Sequence, residues 1–171
     1  MRKRTAVVIA GTAGVGKTEL AKRYKNVVDL ESSTYSWLYP VGADVEAMKG
    51  VAGRVDHPDW PQNYIRAIKK AMAKFDYVCV GGSLEKNFAN YIEAGIDFEI
   101  FTLARSAIPE YVERFVNRGN SREWAEKVYA LYDEYLPRYQ AVGKKIVLLE
   151  PGETLESFLL QNQDKYPRLV P

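Results

Sequence analysis

Residues 11–18 combine three glycines with a lysine and a threonine in a fixed order. They read Gly11-Thr12-Ala13-Gly14-Val15-Gly16-Lys17-Thr18, which matches the pattern G-x-x-x-x-G-K-[ST]. In this pattern the glycines let the backbone turn tightly and aim its N–H groups at phosphate oxygens. Lys17 can reach the β and γ phosphates, and the Thr18 hydroxyl can ligate Mg²⁺. The segment therefore predicts binding of a nucleoside triphosphate by Gly11 and by Ala13 to Thr18.

A pair of carboxylates follows a second apolar run. Asp29 and Glu31 lie two residues apart and point to the same side if the chain is extended there. Two carboxylates could hold Mg²⁺, directly or through water, and could accept a proton from an attacking hydroxyl. The alternative is that Asp29 only caps or turns the chain. We expect Asp29 to orient or deprotonate a second substrate, the phosphoryl acceptor, with Glu31 beside it.

Glycines and arginines supply two further candidate groups. Gly81 and Gly82 end a third apolar run, where glycine lets the backbone approach a ligand, although a tight turn would use the same residues. Arg114 and Arg118 are four residues apart and share one face of a helix. A lid over about residues 105–122 would bring these arginines to the transferred phosphoryl group and exclude water. The alternative is an exposed basic helix paired with nearby glutamates.

A parallel sheet is needed to position these residues. Apolar runs alternate with helical patterns, which indicates an α/β fold with helices on both faces of the sheet. We predict a single domain over residues 1–171, with the three-layer P-loop NTPase fold and a five-stranded parallel sheet. The predicted strands are 6–10, 26–30, 77–80, 98–103 and 145–149. The predicted helices are 17–24, 61–74, 84–94, 121–139 and 154–160. A strand before residues 11–18 and a helix after them argue against a chance glycine-rich turn.

Aromatic residues divide into two groups in this prediction. A long insertion over about residues 33–60 is expected to cover the acceptor, and four aromatic residues that flank it could line a pocket: Tyr35, Trp37, Tyr39 and Trp60. Helix 121–139 carries a stripe at core spacing, which predicts packing. The stripe consists of Trp124, Val128, Leu131, Tyr132 and Tyr135. Residues 161–171, polar and with two prolines, are expected to form a loosely held tail.

Composition excludes several classes of protein. With 47% hydrophobic and 27% charged residues, the chain is of the ordinary globular type. No apolar run approaches the roughly 20 residues that span a bilayer, so we expect a cytoplasmic protein without a membrane partner. A net charge of +2 makes no strong case for nucleic acid. Cys79 is the single cysteine, so no disulfide forms within the chain, and we expect its side chain to be buried.

The layout resembles the small P-loop kinases of nucleosides, nucleotides and small metabolites. In shikimate-kinase-like and gluconate-kinase-like members a D-x-D after the second strand serves Mg²⁺ and the acceptor. Asp29-Leu30-Glu31 resembles it, with Glu in the second place. Gly81-Gly82 resembles their glycine-rich turn against the acceptor, and Arg114 and Arg118 resemble their lid arginines. The resemblance implies ATP and Mg²⁺ as cofactors.

Departures from those families narrow the expectation. The third strand does not end in Asp, since Asp76 stands at its other end, and this argues against a motor or switch ATPase. The acceptor-binding arginine pattern of shikimate kinases is missing from the sequence. The Tyr-rich insertion and the Arg-x-x-x-Arg-Gly lid look more like small kinases of bacteria and phages, which implies a nucleoside or nucleotide acceptor.

We therefore expect an ATP-dependent phosphotransferase that moves the γ-phosphoryl group to a hydroxyl or phosphate of a nucleoside, nucleotide or modified base. Lys17, Asp29, Arg114 and Arg118 are the expected catalytic residues. One alternative is a kinase that acts on a hydroxymethylated base within DNA, which would bind DNA in a salt-sensitive way. Another is a nucleotide-binding regulatory module or slow NTPase, which would bind the triphosphate without phosphorylating an acceptor.

Overall fold

Five apolar runs form the parallel sheet that the sequence predicts. In the structure, a computed structural model that describes residues 5–44, 47–48 and 54–171, every neighbouring strand pair of this sheet is parallel. The strands in chain order are β1 (Val7–Gly11), β2 (Val27–Asp29), β3 (Trp37–Leu38), β4 (Val55–Asp56), β5 (Tyr77–Gly81), β6 (Glu99–Leu103) and β7 (Ile146–Leu149). The sheet order is β2-β5-β1-β6-β7, and β3 and β4 form a separate antiparallel pair.

Helices connect the strands at the expected places. They are α1 (Lys17–Arg23), α2 (Ser33–Ser36), α3 (Gln62–Met72), α4 (Ala89–Glu93), α5 (Ile108–Asn117), α6 (Arg122–Ala130), α7 (Tyr132–Gln140) and α8 (Leu155–Gln161). A π-helical turn, Leu84–Phe88, leads into α4, and a 3₁₀ turn, Arg105–Ala107, leads into α5. The Ser121 hydroxyl accepts a hydrogen bond from the Trp124 N–H and so caps α6. None of the helices in the described ranges is long and apolar enough to span a bilayer.

The core lies on both faces of the sheet, because side chains alternate along each strand. Ile9 of β1 belongs to a cluster with Leu20 of α1 and Leu155 of α8. Its neighbour Val8 belongs to a second cluster, with Ile68 of α3. The predicted three-layer α/β architecture is confirmed. Cys79 in β5 is fully buried, as expected.

The order of the strands reverses at the centre of the sheet. From β1 the chain crosses to β2 on one side, whereas from β6 it continues to β7 on the other. In open α/β sheets a ligand binds outside the carboxyl ends of the strands at such a reversal. The segment that leaves β1 at this point is residues 11–18, so the sheet topology places the glycine-rich loop where a ligand is expected.

The predicted helix 121–139 is interrupted in the structure, and most of its predicted apolar stripe is exposed. It is divided at Leu131 into α6 and α7, although the sequence carries neither Gly nor Pro there. Three of the five predicted stripe residues are exposed: Trp124 by 47%, Val128 by 38% and Leu131 by 43%. Tyr132 of the stripe is buried, and its hydroxyl donates to the Leu103 carbonyl over 2.8 Å. This tertiary contact, which local periodicity does not encode, accompanies the break.

The C-terminal segment is also different from its prediction. Residues 161–171 are not loosely held, because Tyr166 and Leu169 are buried in the core on the α1 and α8 side. The Tyr77 hydroxyl donates to the Pro167 carbonyl, and the Val170 N–H donates to Asn26 Oδ1. Two prolines and many polar residues suggested a tail, but a few well-spaced apolar side chains anchor the segment to the sheet.

The predicted insertion is described in part. Residues 45–46 and 49–53 lie outside the described residues. The remainder packs on α3, where the Asn63 side chain donates to the Tyr35 carbonyl over 2.8 Å. Tyr35 and Trp60 lie against the Tyr64 ring, with centroids 5.0 and 5.5 Å away.

Candidate functional site

The loop after β1 has the conformation that its glycines were expected to allow. Gly14 and Gly16 have φ of +89° and +104°, in the left-handed region that favours glycine. The Lys17 ammonium folds back over the loop and donates to the carbonyls of Gly11 (2.5 Å) and Thr12 (3.3 Å). Burial lowers the pKa of Lys17, and Asp29 opposes that shift. These hydrogen-bond partners of the ammonium are neutral carbonyl oxygens, so a negatively charged group would bind it more strongly.

Thr18 and Asp29 form a contact at the edge of this loop. The Thr18 hydroxyl donates to Asp29 Oδ2 over 2.7 Å. Both residues line a small side groove together with Glu31. No group of three His, Cys, Asp or Glu side chains that could hold a metal ion occurs among the described residues. A hydroxyl beside one carboxylate nevertheless fits Mg²⁺, which takes few protein ligands and fills its shell with phosphate and water oxygens.

A cavity of about 640 Å³ lies over the carboxyl ends of the strands. Its floor is formed by residues 11–14 and 16–18, the glycines that end and follow β5, and Thr102 of β6. Helices α5 to α7, residues 108–140, cover it, and we call them the roof. Side chains of the roof that line the cavity include Arg118, Tyr129, Tyr132, Tyr135 and Tyr139. The predicted lid, residues 105–122, supplies only the first part of this cover.

The aromatic side chains of the cavity are not those expected from the sequence. Tyr35, Trp37, Tyr39 and Trp60 are not among its lining residues as far as the described chain extends. Tyr35 and Trp60 pack on Tyr64 instead, and Trp37 faces the Arg54 guanidinium at 4.3 Å from its ring centroid. Tyr132 and Tyr135, which were assigned to packing, line the cavity. Sequence periodicity marks an apolar face but does not say whether that face meets a core or a cavity.

Gly81 and Gly82 bring β5 against the glycine-rich loop. A Cβ on Gly82 would lie 2.6 Å from the carbonyl carbon of Gly11 and 2.8 Å from the Thr12 nitrogen. Both are backbone atoms, so neither can move away by a side-chain rotation. Tyrosine hydroxyls hold this segment: Tyr91 donates to the Gly81 carbonyl over 2.9 Å, and Tyr139 donates to the Gly82 carbonyl over 3.1 Å. The sequence predicted that the two glycines let the backbone approach a ligand. In the structure, Gly82 lies close to the backbone of the loop.

Arg114 and Arg118 have different surroundings although both belong to the predicted lid. Arg114 donates to the Gly14 carbonyl over 2.8 Å and is paired with Glu110 on the same helix. Its guanidinium lies 4.4 Å from the centroid of the Tyr111 ring, which also packs under Gly14. Arg118 is exposed and lines the cavity. It is close enough to Lys17 to lower the pKa of that ammonium further. Arg114 therefore supports the loop from behind, and Arg118 faces the space above it.

Comparison with known proteins adds one finding about the fold. No protein-family model matches the sequence, and no curated protein matches it. The structure of the tunicamycin resistance protein of Deinococcus radiodurans is similar, with a TM-score of 0.56, 14% sequence identity, and cover of 98% of this chain and 99% of that one. The chain has a P-loop NTPase-like fold. Residues 11–18, which the sequence pattern predicts to bind phosphate, are called the phosphate loop below.

The structure gathers most of the predicted site residues around the phosphate loop. Glu31, Gly81, Gly82 and Arg118 line the cavity with it. Asp29 lies in the side groove on Thr18. Two predicted residues are turned away: Arg114 is behind the loop, and the side chain of Val15 is fully buried in the core. Val15 therefore takes part in the loop through its backbone, and its carbonyl accepts from the Leu155 N–H.

Among the lining residues that were missed from the sequence are Lys86, Asn87 and Thr102. Thr102 is buried in β6 and accepts a hydrogen bond from the Thr12 hydroxyl over 3.0 Å. Asn87 is only 2% exposed in the π-helical turn after Gly81-Gly82. The sequence contained a signal for Asn87. Ser83 is of a residue type that caps helices, and the polar Asn87 follows four residues later, next to the apolar Phe88.

Proposed function

We propose that this protein transfers the γ-phosphoryl group of ATP to a hydroxyl-bearing acceptor, a nucleoside, nucleotide or modified base. One observation carries the proposal. A single cavity is lined by the phosphate loop, by Glu31 and by the polar side chains of Lys86 and Asn87. A protein that only bound the nucleotide would need the loop but not further polar side chains and a carboxylate in the same cavity.

In this proposal the donor is held by the phosphate loop. The N–H groups of Ala13 to Thr18 and the Lys17 ammonium bind the β and γ phosphates. Lys17 leaves its two carbonyl partners for phosphate oxygens, which offer a stronger charge-assisted hydrogen bond. Arg118, which lines the cavity beside Lys17, stabilises the negative charge on the transferred group. Arg114 keeps Gly14 in place and does not touch the phosphates.

The acceptor is activated by Glu31. Its carboxylate lines both the cavity and the side groove, and it interacts electrostatically with Lys17 and with Lys86. The acceptor oxygen forms a bond to the γ phosphorus while the bond from that phosphorus to the bridging oxygen breaks. The hydroxyl proton passes to the Glu31 carboxylate, and ADP leaves. Asp29 acts on the metal side through Thr18, because the side groove separates it from the acceptor.

Thr18, with Asp29 beside it, would hold Mg²⁺, which neutralises charge on the β and γ phosphates when it is bound. The described residues supply few metal ligands, so the phosphates and water must supply the others. We therefore expect the metal and the triphosphate to bind as a unit. Removal of divalent cations with a chelator should abolish transfer.

The test is transfer of labelled phosphate from ATP to an acceptor panel, with ADP release measured in parallel. The panel consists of nucleosides, their 5′-monophosphates, DNA with hydroxymethylated bases, and tunicamycin, which the name of the similar structure suggests. Lys17→Ala should lower kcat by about 10²–10³-fold. Glu31→Gln should lower kcat by about 10²–10⁴-fold and leave ATP binding intact. Asp29→Asn should raise the Mg²⁺ concentration needed for half-maximal rate.

Two surface variants serve as controls. Lys69→Ala changes an exposed lysine of α3, and Glu93→Gln changes an exposed glutamate of α4. Both should retain full activity. Full activity in Glu31→Gln would remove the assigned role of that carboxylate. ATP binding without any phosphorylated product across the panel would replace the proposal with a nucleotide-binding module.

A further inference from the structure

The charged side chains that line the cavity fall into two groups, those in ion pairs and those without one. The lining side chains in ion pairs are Glu19 with Lys22, Glu85 with Arg138, and Lys127 with Glu123. The lining charges that have no ion pair with any described residue are Lys17, Glu31, Lys86 and Arg118. Three of these four charges are positive, so the cavity attracts anions.

The cations near the cavity have different neighbours. At the phosphate loop, Arg118 is close enough to Lys17 to act on its charge. Lys86 has Arg54 beside it: the Arg54 guanidinium lies 4.3 Å from the centroid of the Trp37 ring, and the Lys86 ammonium lies 5.1 Å from the same centroid. Burial lowers the pKa of Lys86, and Arg54 lowers it further. An anion bound near both cations would relieve their repulsion.

The hydrogen-bond and ring partners of the Lys86 ammonium are neutral. It donates to the Ser36 hydroxyl over 2.9 Å, and Ser36 is buried. The rings of Trp37 and Trp60 flank it, with centroids 5.1 and 5.3 Å away. An ammonium has three N–H donors, so the bond to Ser36 leaves two for a ligand. A charge-assisted hydrogen bond to an anion is stronger than these contacts with neutral groups.

Glu31 acts on both lysines of the cavity. Burial lowers the pKa of Lys17 and of Lys86, and the Glu31 carboxylate opposes the shift in both. The carboxylate proposed to take the proton of the acceptor is therefore within electrostatic range of the phosphate loop and of Lys86. A molecule that carries an anionic group and a hydroxyl could place the first at Lys86 and the second at Glu31.

We propose that Lys86, supported by the charge of Arg54, binds the phosphate of a nucleoside monophosphate, and that a hydroxyl of the same molecule receives the γ-phosphoryl group. This inference rests on the proposed phosphoryl transfer and names the acceptor class for it. Lys17 and Arg118 act on the phosphates of ATP, whereas Lys86 holds the phosphate of the acceptor. Arg54 does not line the cavity, so it acts through its charge and not through contact.

The experiment compares nucleosides with their own 5′- and 3′-monophosphates. A non-hydrolysable ATP analogue with Mg²⁺ first occupies the phosphate loop, so a calorimetric titration reports binding at a second site. We expect at least one monophosphate to bind about 10–100-fold more tightly than its nucleoside, the range for a hydrogen bond to a charged group. With ATP, kcat/KM should show the same preference. Phosphorus NMR should show a product with phosphates on two different sugar oxygens.

Lys86→Gln removes the charge and keeps a polar side chain of similar shape. We expect it to raise the KM and the Kd for the monophosphate by about 10–100-fold and to leave those for the nucleoside and for ATP unchanged. Lys86→Arg restores the charge and should retain most of the preference. Arg54→Gln should weaken monophosphate binding by only about 2–5-fold, and this effect should shrink as salt is added, because it acts through the field.

Lys144→Gln is the matched control. The Lys144 ammonium also lies on an aromatic ring, 5.4 Å from the centroid of Phe98, but the residue does not line the cavity. The same chemical change at this position should leave the affinities for nucleoside, monophosphate and ATP unaltered.

Several outcomes overturn the inference. Nucleosides that bind as tightly as their monophosphates, with transfer intact, remove it and leave the proposed function standing. Unchanged monophosphate affinity in Lys86→Gln removes the role of that lysine. A nucleoside diphosphate as product means that the bound phosphate is itself the acceptor. Monophosphate binding that depends on Lys86, without transfer to any acceptor, supports the binding site and removes the kinase proposal. The wild-type comparison needs no substitution, so it decides even if a variant does not fold.

Discussion

The phosphate loop and the roof face each other across one cavity, but their side chains reach it by different routes. In the loop, Lys17 contacts carbonyls five and six residues away. In the roof, the Tyr132 hydroxyl bonds a carbonyl 29 residues away and the Tyr139 hydroxyl one 57 residues away. The Lys17 side chain is therefore placed by local contacts, whereas these two tyrosines of the roof are placed by contacts with distant segments of the chain.

Arg114 and Arg118 show what this difference means for function. Both are arginines of the roof, four residues apart, and the sequence treats them alike. Only the tertiary structure distinguishes their roles, because Arg114 donates a hydrogen bond to the Gly14 carbonyl, 100 residues away, and Arg118 does not. Residue type and spacing predict a turn that glycines allow, but they do not predict which partners a helix side chain meets elsewhere in the chain.

The strongest test of this contrast compares the two arginines. Arg118→Ala should lower kcat by about 10²–10³-fold with little effect on thermal unfolding, since it removes a charge that acts on the reacting phosphates. Arg114→Ala should instead lower the free energy of unfolding by about 1–3 kcal/mol and weaken ATP binding. Transfer kinetics and thermal denaturation of both variants provide the measurement. Equal kinetic and stability effects in the two variants would contradict the division of roles.

The second test addresses the loop itself. Gly82→Ala places a Cβ against the backbone of Gly11 and Thr12, so the phosphate loop must shift. We expect a loss of about 1–3 kcal/mol in stability and a fall of about 10–100-fold in ATP affinity. Fluorescent-nucleotide titration and thermal unfolding measure the two effects.

Gly143→Ala is the matched control for that variant. Gly143 has φ of +75°, which strains an alanine, but a Cβ there meets no atom within 4 Å. It should lose about 1 kcal/mol of stability from backbone strain and no ATP affinity. If Gly82→Ala bound ATP as well as Gly143→Ala does, the close packing of β5 on the loop would have no bearing on the site.

The smallest expected effect belongs to the tyrosine hydroxyls of the roof. Tyr132→Phe leaves the buried Leu103 carbonyl without its donor, so we expect a loss of about 1–2 kcal/mol in the free energy of unfolding. Tyr139→Phe removes a partly buried bond of 3.1 Å and should cost less. Urea unfolding of the two variants checks the order. A reversed order would mean that the roof is anchored at Gly82 rather than at Leu103.

Strands and sheet were largely predictable, because buried parallel strands are short apolar runs that local sequence displays. The ends of β1, β5 and β6 fell within one or two residues of the prediction. The C-terminal segment was mispredicted, since the burial of Tyr166 and Leu169 depends on a groove that other elements form. The exposure of Trp124 was missed for the same reason, because a periodic stripe does not reveal what it faces.

The candidate site shows the same difference between what the local sequence predicts and what the tertiary structure decides. Residues 11–18 were predicted to bind phosphate from their order and type alone, since the pattern depends on the local backbone conformation that its glycines allow. Asp29 and Glu31 were found as a pair, but their separation into a side groove and a cavity required the sheet. The buried amide of Asn87, the turn of Arg114 behind the loop and the tyrosine cover were decided by tertiary structure. The reason is that burial and hydrogen-bond satisfaction depend on neighbours distant in the chain, which no local pattern specifies.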